Sequence, residues 1–224
     1  MTFSLVARCA KTGMLGMAIA SSSPAVAARC AHTRAGVGAV ASQNITDPSL
    51  GPKVLDLLGE GLSAADAMAK IVATTPYIQY RQLLVVDAGG CTAVHSGTEV
   101  LGIWGSAQAD TVAAGGNLLA NKTIPQVLVD TFLSAKGHLG DRLITAMQAA
   151  LAAGGEAGPI HSAGMKIADR LSWPLVDLRC DWTEDCPIEA IEKAWKIYFP
   201  QIDAYVQRAE NPSVAPSYGV PGDE

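Results

Sequence analysis

Positive charge is nowhere concentrated in this chain. Its 16 Lys and Arg residues are scattered among 21 Asp and Glu, for a net charge of −5, which argues against nucleic acid or an anionic membrane as partner. Long hydrophobic runs are missing too. Stretches such as Leu83 to Val86 fall far short of the ~20 residues a spanning helix needs, so a soluble protein with no membrane partner is expected. Aromatic residues make up only 5% of the chain, and a core of closely packed small and aliphatic side chains should replace them. Cysteine is sparse. The five residues Cys9, Cys30, Cys91, Cys180 and Cys186 are odd in number and share no spacing, as fits a reducing compartment in which Cys is a small hydrophobe. Cys180 and Cys186 are near enough in sequence to pair or share a metal, but no C-x-x-C or H-x-x-x-H accompanies them. No metal or organic cofactor is expected.

What is present is ample for one core: 49% of the 224 residues are hydrophobic. That length reads as a single domain over residues 1–210, followed by a flexible Pro- and Gly-containing tail over 211–224. Arg8 and Lys11 ahead of Met14 to Ala20, with Ala25-Val26-Ala27 beyond, imitate a signal peptide. The apolar stretch is short, however, and Phe3 to Ala7 is apolar where a signal peptide is polar. Two strands explain the same residues better, and a cytoplasmic location follows.

Phe3 to Cys9 and Met14 to Ser21 read as a hairpin through Lys11-Thr12-Gly13, nearly continuously apolar and therefore covered on both faces. Gly36 to Ser42 reads as a third strand. A short helix follows around Val54 to Leu58. Ser63, with Asp66 three residues on, caps a second helix that Pro76 ends. Arg81 to Asp87 and Cys91 to Ser96 form another hairpin. Trp104 to Ala114 is a weaker strand, running into Gly115-Gly116-Asn117. Thr123 with Gln126 reads as a capping box, and Leu143, Met147 and Leu151 line one face of the next helix. Ser162 to Ala168 and Leu175 to Asp181 make a last strand pair. Pro187 opens a terminal helix through Tyr198, disturbed at Pro200. Strands arrive in antiparallel pairs separated by helices, without βαβ alternation, which points to a layered α+β domain.

The segments Met1 to Arg8, Gly16 to Ser22, Arg34 to Val40, Asp47 to Pro52 and Arg81 to Asp87 resemble the domain-of-unknown-function family numbered 1028, a likeness that covers about residues 2 to 170. By fold that family is placed with the N-terminal-nucleophile (Ntn) hydrolases. The resemblance implies a four-layer αββα sandwich, two antiparallel sheets between helical layers, and no particular substrate.

An Ntn enzyme needs Cys, Ser or Thr at its mature N-terminus, where the free α-amine serves as base for the adjacent hydroxyl. Thr2 follows Met1, and loss of that one residue, which methionine aminopeptidases tolerate before Thr, would expose it. The resemblance points to Thr2 as well, although a β-branched residue at a strand edge is also ordinary. The end of the second strand, where related enzymes tune the amine, carries Ser21 and Ser22 and no carboxylate. Arg29 and Arg34 are the cations near in sequence. Gln43 and Asn44 end the third strand with amides suited to holding a substrate or to capping a loop. Gly116 and Asn117 offer unobstructed N–H groups and an amide for an oxyanion, or simply a tight turn. His95 is either a site residue or a hydrogen-bonded strand residue. The expected activity is cleavage of a small amide or similar C–N bond. The alternative is a non-catalytic small-molecule-binding or assembly subunit on the same fold. Close-packed small residues and a terminal helix presenting Trp195 and Tyr198 at the surface also point to a homo-oligomer.

Overall fold

A computed structural model describes residues 1–222. Ten strands form two antiparallel sheets. The first contains β1 (Thr2–Arg8), β2 (Leu15–Ser21), β7 (Gly105–Ala109), β8 (Val112–Asn117), β9 (Ser162–Ala168) and β10 (Val176–Cys180), in the order β10-β9-β2-β1-β8-β7. The second runs β3-β4-β5-β6, from β3 (Ala31–Arg34), β4 (Gly38–Asn44), β5 (Arg81–Asp87) and β6 (Thr92–Ser96). β1 is therefore central in its sheet, which accounts for its mostly apolar, almost wholly buried sequence.

Period-two alternation decides what each strand face meets. Val6, Leu15, Met17 and Ile19 of the first sheet pack with Ala39, Ala41, Leu84 and Val86 of the second in one buried cluster. The opposite face of the first sheet (Phe3, Leu5, Ala18, Ala20) packs against α4 (Ile124–Ser134), α5 (Leu139–Ala152) and α6 (Pro187–Tyr198). The opposite face of the second sheet (Val40, Leu83, Val85) packs against α2 (Leu50–Gly59) and α3 (Ala64–Thr74).

Local chemistry explains most boundaries. Ser63 Oγ accepts the Asp66 N–H at 3.1 Å and caps α3 as the sequence predicts. α2 begins earlier than expected, at Leu50, because Pro52 falls in its first turn, where the missing N–H costs nothing. The weak strand expected over 104–114 is a hairpin, β7 and β8, reversed at Asp110-Thr111 with Thr111 at φ 69°. Two short elements, α1 (Val26–Cys30) and β3, lie where no element was expected.

Two expectations are corrected. Thr123 and Gln126 form no capping box: Thr123 Oγ1 donates to Asn121 Oδ1 at 2.6 Å and Gln126 Nε2 to Asp130 Oδ1 at 2.8 Å. Nor is Trp195 a surface residue. It is 3% exposed, packs flat against Gly140, where a Cβ would sit 2.6 Å from its ring, and donates Nε1–H to Asp141 at 2.7 Å. Tyr198 is half-buried and donates to the Leu175 carbonyl at 3.0 Å. The surface aromatics cited for self-association are thus occupied within the chain. After α7 (Ile202–Glu210) the chain turns back, and Arg208 bonds the carbonyls of Pro216 and Ser217 and stacks on Tyr218. Residues 223–224 of the expected tail lie outside the described residues.

Candidate active site at the start of the first strand

The inner faces of the strands are apolar along most of their length and polar at one end. Thr2, Ser4 and Val6 share a face of β1, Ser21 continues the row Met17 and Ile19 of β2, and Asn117 follows Ala113 in β8. From the second sheet, Gln43 follows Ala41, and Gln82 precedes Leu84. All the polar members are buried, Thr2 at 6% exposure being the most open of them.

These side chains form one connected network. Ser4 Oγ donates to Gln43 Oε1 at 2.6 Å, and Gln43 Nε2 donates to Gln82 Oε1 at 2.8 Å. Asn117 Nδ2 donates to the same Gln82 oxygen at 3.3 Å. Gln82 Nε2 in turn reaches Ser96 Oγ at 3.0 Å and the Gly116 carbonyl at 3.2 Å. Thr2 pairs across the sheet with Asn117, so the network braces the strand beside it.

Around Thr2 itself the groups are hydroxyls. Thr2 Oγ1 lies 3.3 Å from Ser21 Oγ, and both hydroxyls donate to the Met1 carbonyl. Ser21 Oγ lies 2.9 Å from Ser23 Oγ, which accepts from Arg29 Nη2 at 3.2 Å. Arg29 is fixed by the Pro24 and Ala25 carbonyls. A guanidinium is thereby linked to the Thr2 hydroxyl through two serines.

The carboxylate absent from the second strand comes from elsewhere. Glu156, in the loop after α5, is 4% exposed and accepts the Ser22 N–H at 3.3 and 3.2 Å through its two oxygens. Burial pushes its pKa up to about 7, against the pull of the Met1 α-amine and the Ser22 hydrogen bond. In the sequence, Gly154 to Pro159 reads only as the Gly- and Pro-bearing stretch that ends α5. The one signal there was an acidic residue among Gly and Ala, too weak to mark a site.

Of the residues singled out from sequence, Thr2, Ser21 and Asn117 come together, with Gln43 one hydrogen-bond step behind them. Gly116 lies on the other face of β8. A Cβ there would stand 2.5 Å from Leu119 Cδ2 and 2.9 Å from the Thr2 carbonyl, so its lack of a side chain lets the strands close. Asn44, at φ 73°, donates to the Tyr80 carbonyl at 2.6 Å and accepts from Leu101 N–H at 3.2 Å, joining three loops at the rim. His95 faces the helical side of its sheet, where Nε2 lies 3.2 Å from the Ile78 carbonyl. Arg34 pairs with Asp56 at 2.8 Å, beyond the far end of β4. From Gly38 to Gln43 alone is about 17 Å at roughly 3.3 Å per residue. All five cysteines are free, and among the described residues no cluster of His, Cys, Asp and Glu is placed to hold a metal.

Two clefts of about 470 and 640 Å³ open at the opposite end of the first sheet, sharing Met14 and His138. Neither is lined by Thr2, Ser21 or Glu156. Size favours those clefts, but the convergence of nucleophilic and titratable groups favours the Thr2 end.

The chain matches the family of unknown function DUF1028 over residues 2–191, and it belongs to that family. The crystal structure of protein SPO2555 from Silicibacter pomeroyi, of the same family, is 30% identical, overlaps 88% of each chain and superposes with a TM-score of 0.82. Anbu, the ancestral beta-subunit, from Yersinia bercovieri is 14% identical over 90% of this chain and 96% of its own, with a TM-score of 0.40. An Anbu mutant from Hyphomicrobium sp. strain MC1 is 12% identical over 92% of this chain and 100% of its own, at 0.38. Likeness at these last two levels is too low to bear on mechanism. No curated protein matches the chain.

Proposed function

We propose that this member of the family is an Ntn-type amidohydrolase, with Thr2 as nucleophile once Met1 is removed. The supporting fold reading is a four-layer αββα stack: α4, α5 and α6 on the first sheet, that sheet on the second, and the second on α2 and α3. The observation that carries the chemistry is the Thr2 hydroxyl, buried in a polar end of the inter-sheet layer with Ser21 Oγ at 3.3 Å.

With residue 1 gone, the Thr2 nitrogen becomes an α-amine that titrates near ~7.7–8.0 and is partly neutral at physiological pH. The amine takes the Oγ1 proton as Oγ1 bonds to the substrate carbonyl carbon. It gives that proton to the leaving nitrogen as the C–N bond breaks. Water then adds to the ester and yields a proton to the amine. The C–O bond breaks, the acid departs, and Oγ1 recovers its proton. Ser21 Oγ, which donates to a carbonyl in this place already, and the Asn117 amide stabilise the oxyanion. Gln43 and Gln82 hold Asn117 in position.

A chain that keeps Met1 has its Thr2 nitrogen in an amide and no base. The satisfied Met1 carbonyl favours, for that form, a non-catalytic binding or assembly subunit on the same fold. The test is an intact-mass measurement after exposure to a β-lactone. Protein released from a cleavable fusion with Thr2 at its N-terminus is expected to gain one adduct, on Thr2. Thr2→Ala protein and protein retaining Met1 are expected to gain none. An unlabelled Thr2-terminal protein refutes the nucleophile.

A further inference from the structure

Beside this site stands a buried carboxylate that no side-chain cation pairs with, although the Met1 α-amine is close enough to act on it. Both Glu156 oxygens rest on the one Ser22 N–H, and among the described residues no Lys, Arg or His forms an ion pair with it. Burying an unpaired carboxylate is costly, so a feature of this kind calls for a cation that arrives with something else.

Sheet register shows which space it faces. Thr2 pairs with Asn117 and Phe3 with Ala20, so Ser21 lies beside Thr2, while Ser22 and Leu118 lie beside Met1. Glu156 holds Ser22, and the adjoining Ala157 N–H donates to the Leu118 carbonyl at 3.0 Å. The loop is pinned at both ends, by Ala120 N–H on the Gly155 carbonyl at 3.0 Å and by His161 N–H on the Ser21 carbonyl at 2.9 Å. It thus roofs Met1, whose Cε lies 3.5 Å from where a Gly158 Cβ would be.

Met1 serves as a built-in stand-in for a substrate's acyl group. An acyl group on the Thr2 nitrogen and the same group on Oγ1 are isomers related by a shift through one five-membered ring, so they fill nearly the same space. The carbonyl in that space already receives the Thr2 and Ser21 hydroxyls.

Resting on the nucleophile reading above, we propose that the substrate's acyl part carries an α-ammonium group, which Glu156 recognises beneath the 155–161 roof. The substrate class is then an α-aminoacyl amide with a compact apolar side chain directed at Gly158. Service to the Thr2 amine fits less well. A carboxylate against that amine holds it protonated, opposite to what a base requires, and Glu156 sits one rung further out.

The test uses Thr2-terminal protein and compares ammonia release from L-methioninamide and N-acetyl-L-methioninamide. The free-amine substrate is expected to have a kcat/KM at least about tenfold higher. Glu156→Gln should lower that value by roughly 10- to 100-fold through KM, the scale of a charged hydrogen bond, and leave the acetylated substrate within about twofold. Equal use of the two amides by the unaltered protein overturns the proposal, as does an equal loss on both in the variant. Lactone labelling of Thr2 without turnover of either amide overturns the substrate class alone. Absence of labelling and of turnover overturns the nucleophile reading with it.

Discussion

Glu156 can be tested in stability alone, with no substrate. In the chain retaining Met1, burial raises its pKa from an ordinary 4.5 to about 7. A group whose folded pKa lies above its unfolded value binds more protons in the folded state between the two. Its contribution to stability is therefore complete below about pH 4.5 and is lost as pH rises, the loss finishing above about pH 7. At about 1.36 kcal/mol per unit, the difference corresponds to roughly 3 kcal/mol. Glu156→Gln keeps the shape and cannot ionise. Its stability should stay within about 1 kcal/mol of the parent near pH 5 and exceed it by roughly 3 kcal/mol at pH 8. Urea unfolding of both proteins at intervals from pH 5 to 8, with Met1 confirmed by mass, measures this directly. The imidazoles His32 and His138, both lowered by burial, titrate in both proteins and cancel in the difference. Two parallel curves would refute the reasoning, because they would mean that Glu156 titrates alike folded and unfolded.

Gln82→Leu strips acceptors from Gln43 Nε2 and Asn117 Nδ2 together; two orphaned buried donors cost about 2–6 kcal/mol in urea unfolding, and a loss below ~1 kcal/mol would show the network to be idle. Gly116→Ala forces a methyl to 2.5 Å from Leu119 Cδ2. A loss of about 1–3 kcal/mol is expected, with slower lactone labelling of Thr2 as β1 shifts. Ser21→Ala removes a hydroxyl aimed at the reacting carbonyl and should lower kcat by roughly 10²-fold with little change in KM; an equal rise in KM alone would assign Ser21 to binding.

How legible each part was in the sequence depended on how local its cause is. The β1–β2 hairpin, the Ser63 cap of α3 and the Pro187 start of α6 are written in residues a few positions apart, and the structure has them. β7 and β8 were blurred because Ala and Gly dominate both, so no alternation stands out. α1 and β3 are short and held by distant partners: Val26 N–H donates to Ser162 Oγ at 3.2 Å. The site behaved the same way. Thr2 was named because it follows Met1, Ser21 because it ends the second strand, and Asn117 because it follows two glycines. Glu156 sits in a loop that crosses β1 only after β9 has joined the sheet beside β2, and no spacing along the chain encodes that crossing. Arg34 and His95 were misjudged for position by a simpler cause, since proximity in sequence says nothing about which end, or which face, of a strand is concerned.

The position of the polar groups is itself informative. The layer between the sheets is filled by Val6, Met17, Ile19, Ala41, Leu84 and Val86, and continuing it with aliphatic residues to both ends would be the more stable choice. At one end the same inward positions hold Thr2, Ser21, Gln43, Gln82 and Asn117 instead. A mere polar surface does not explain this, because all five are buried. Nor does register alone: the uniformly inward apolar rows already penalise a one-residue slip by turning every side chain to the wrong face. A satisfied amide network that fixes the strand beside a hydroxyl, a guanidinium relayed through two serines, and a buried carboxylate above are the features that the proposed reaction would draw on.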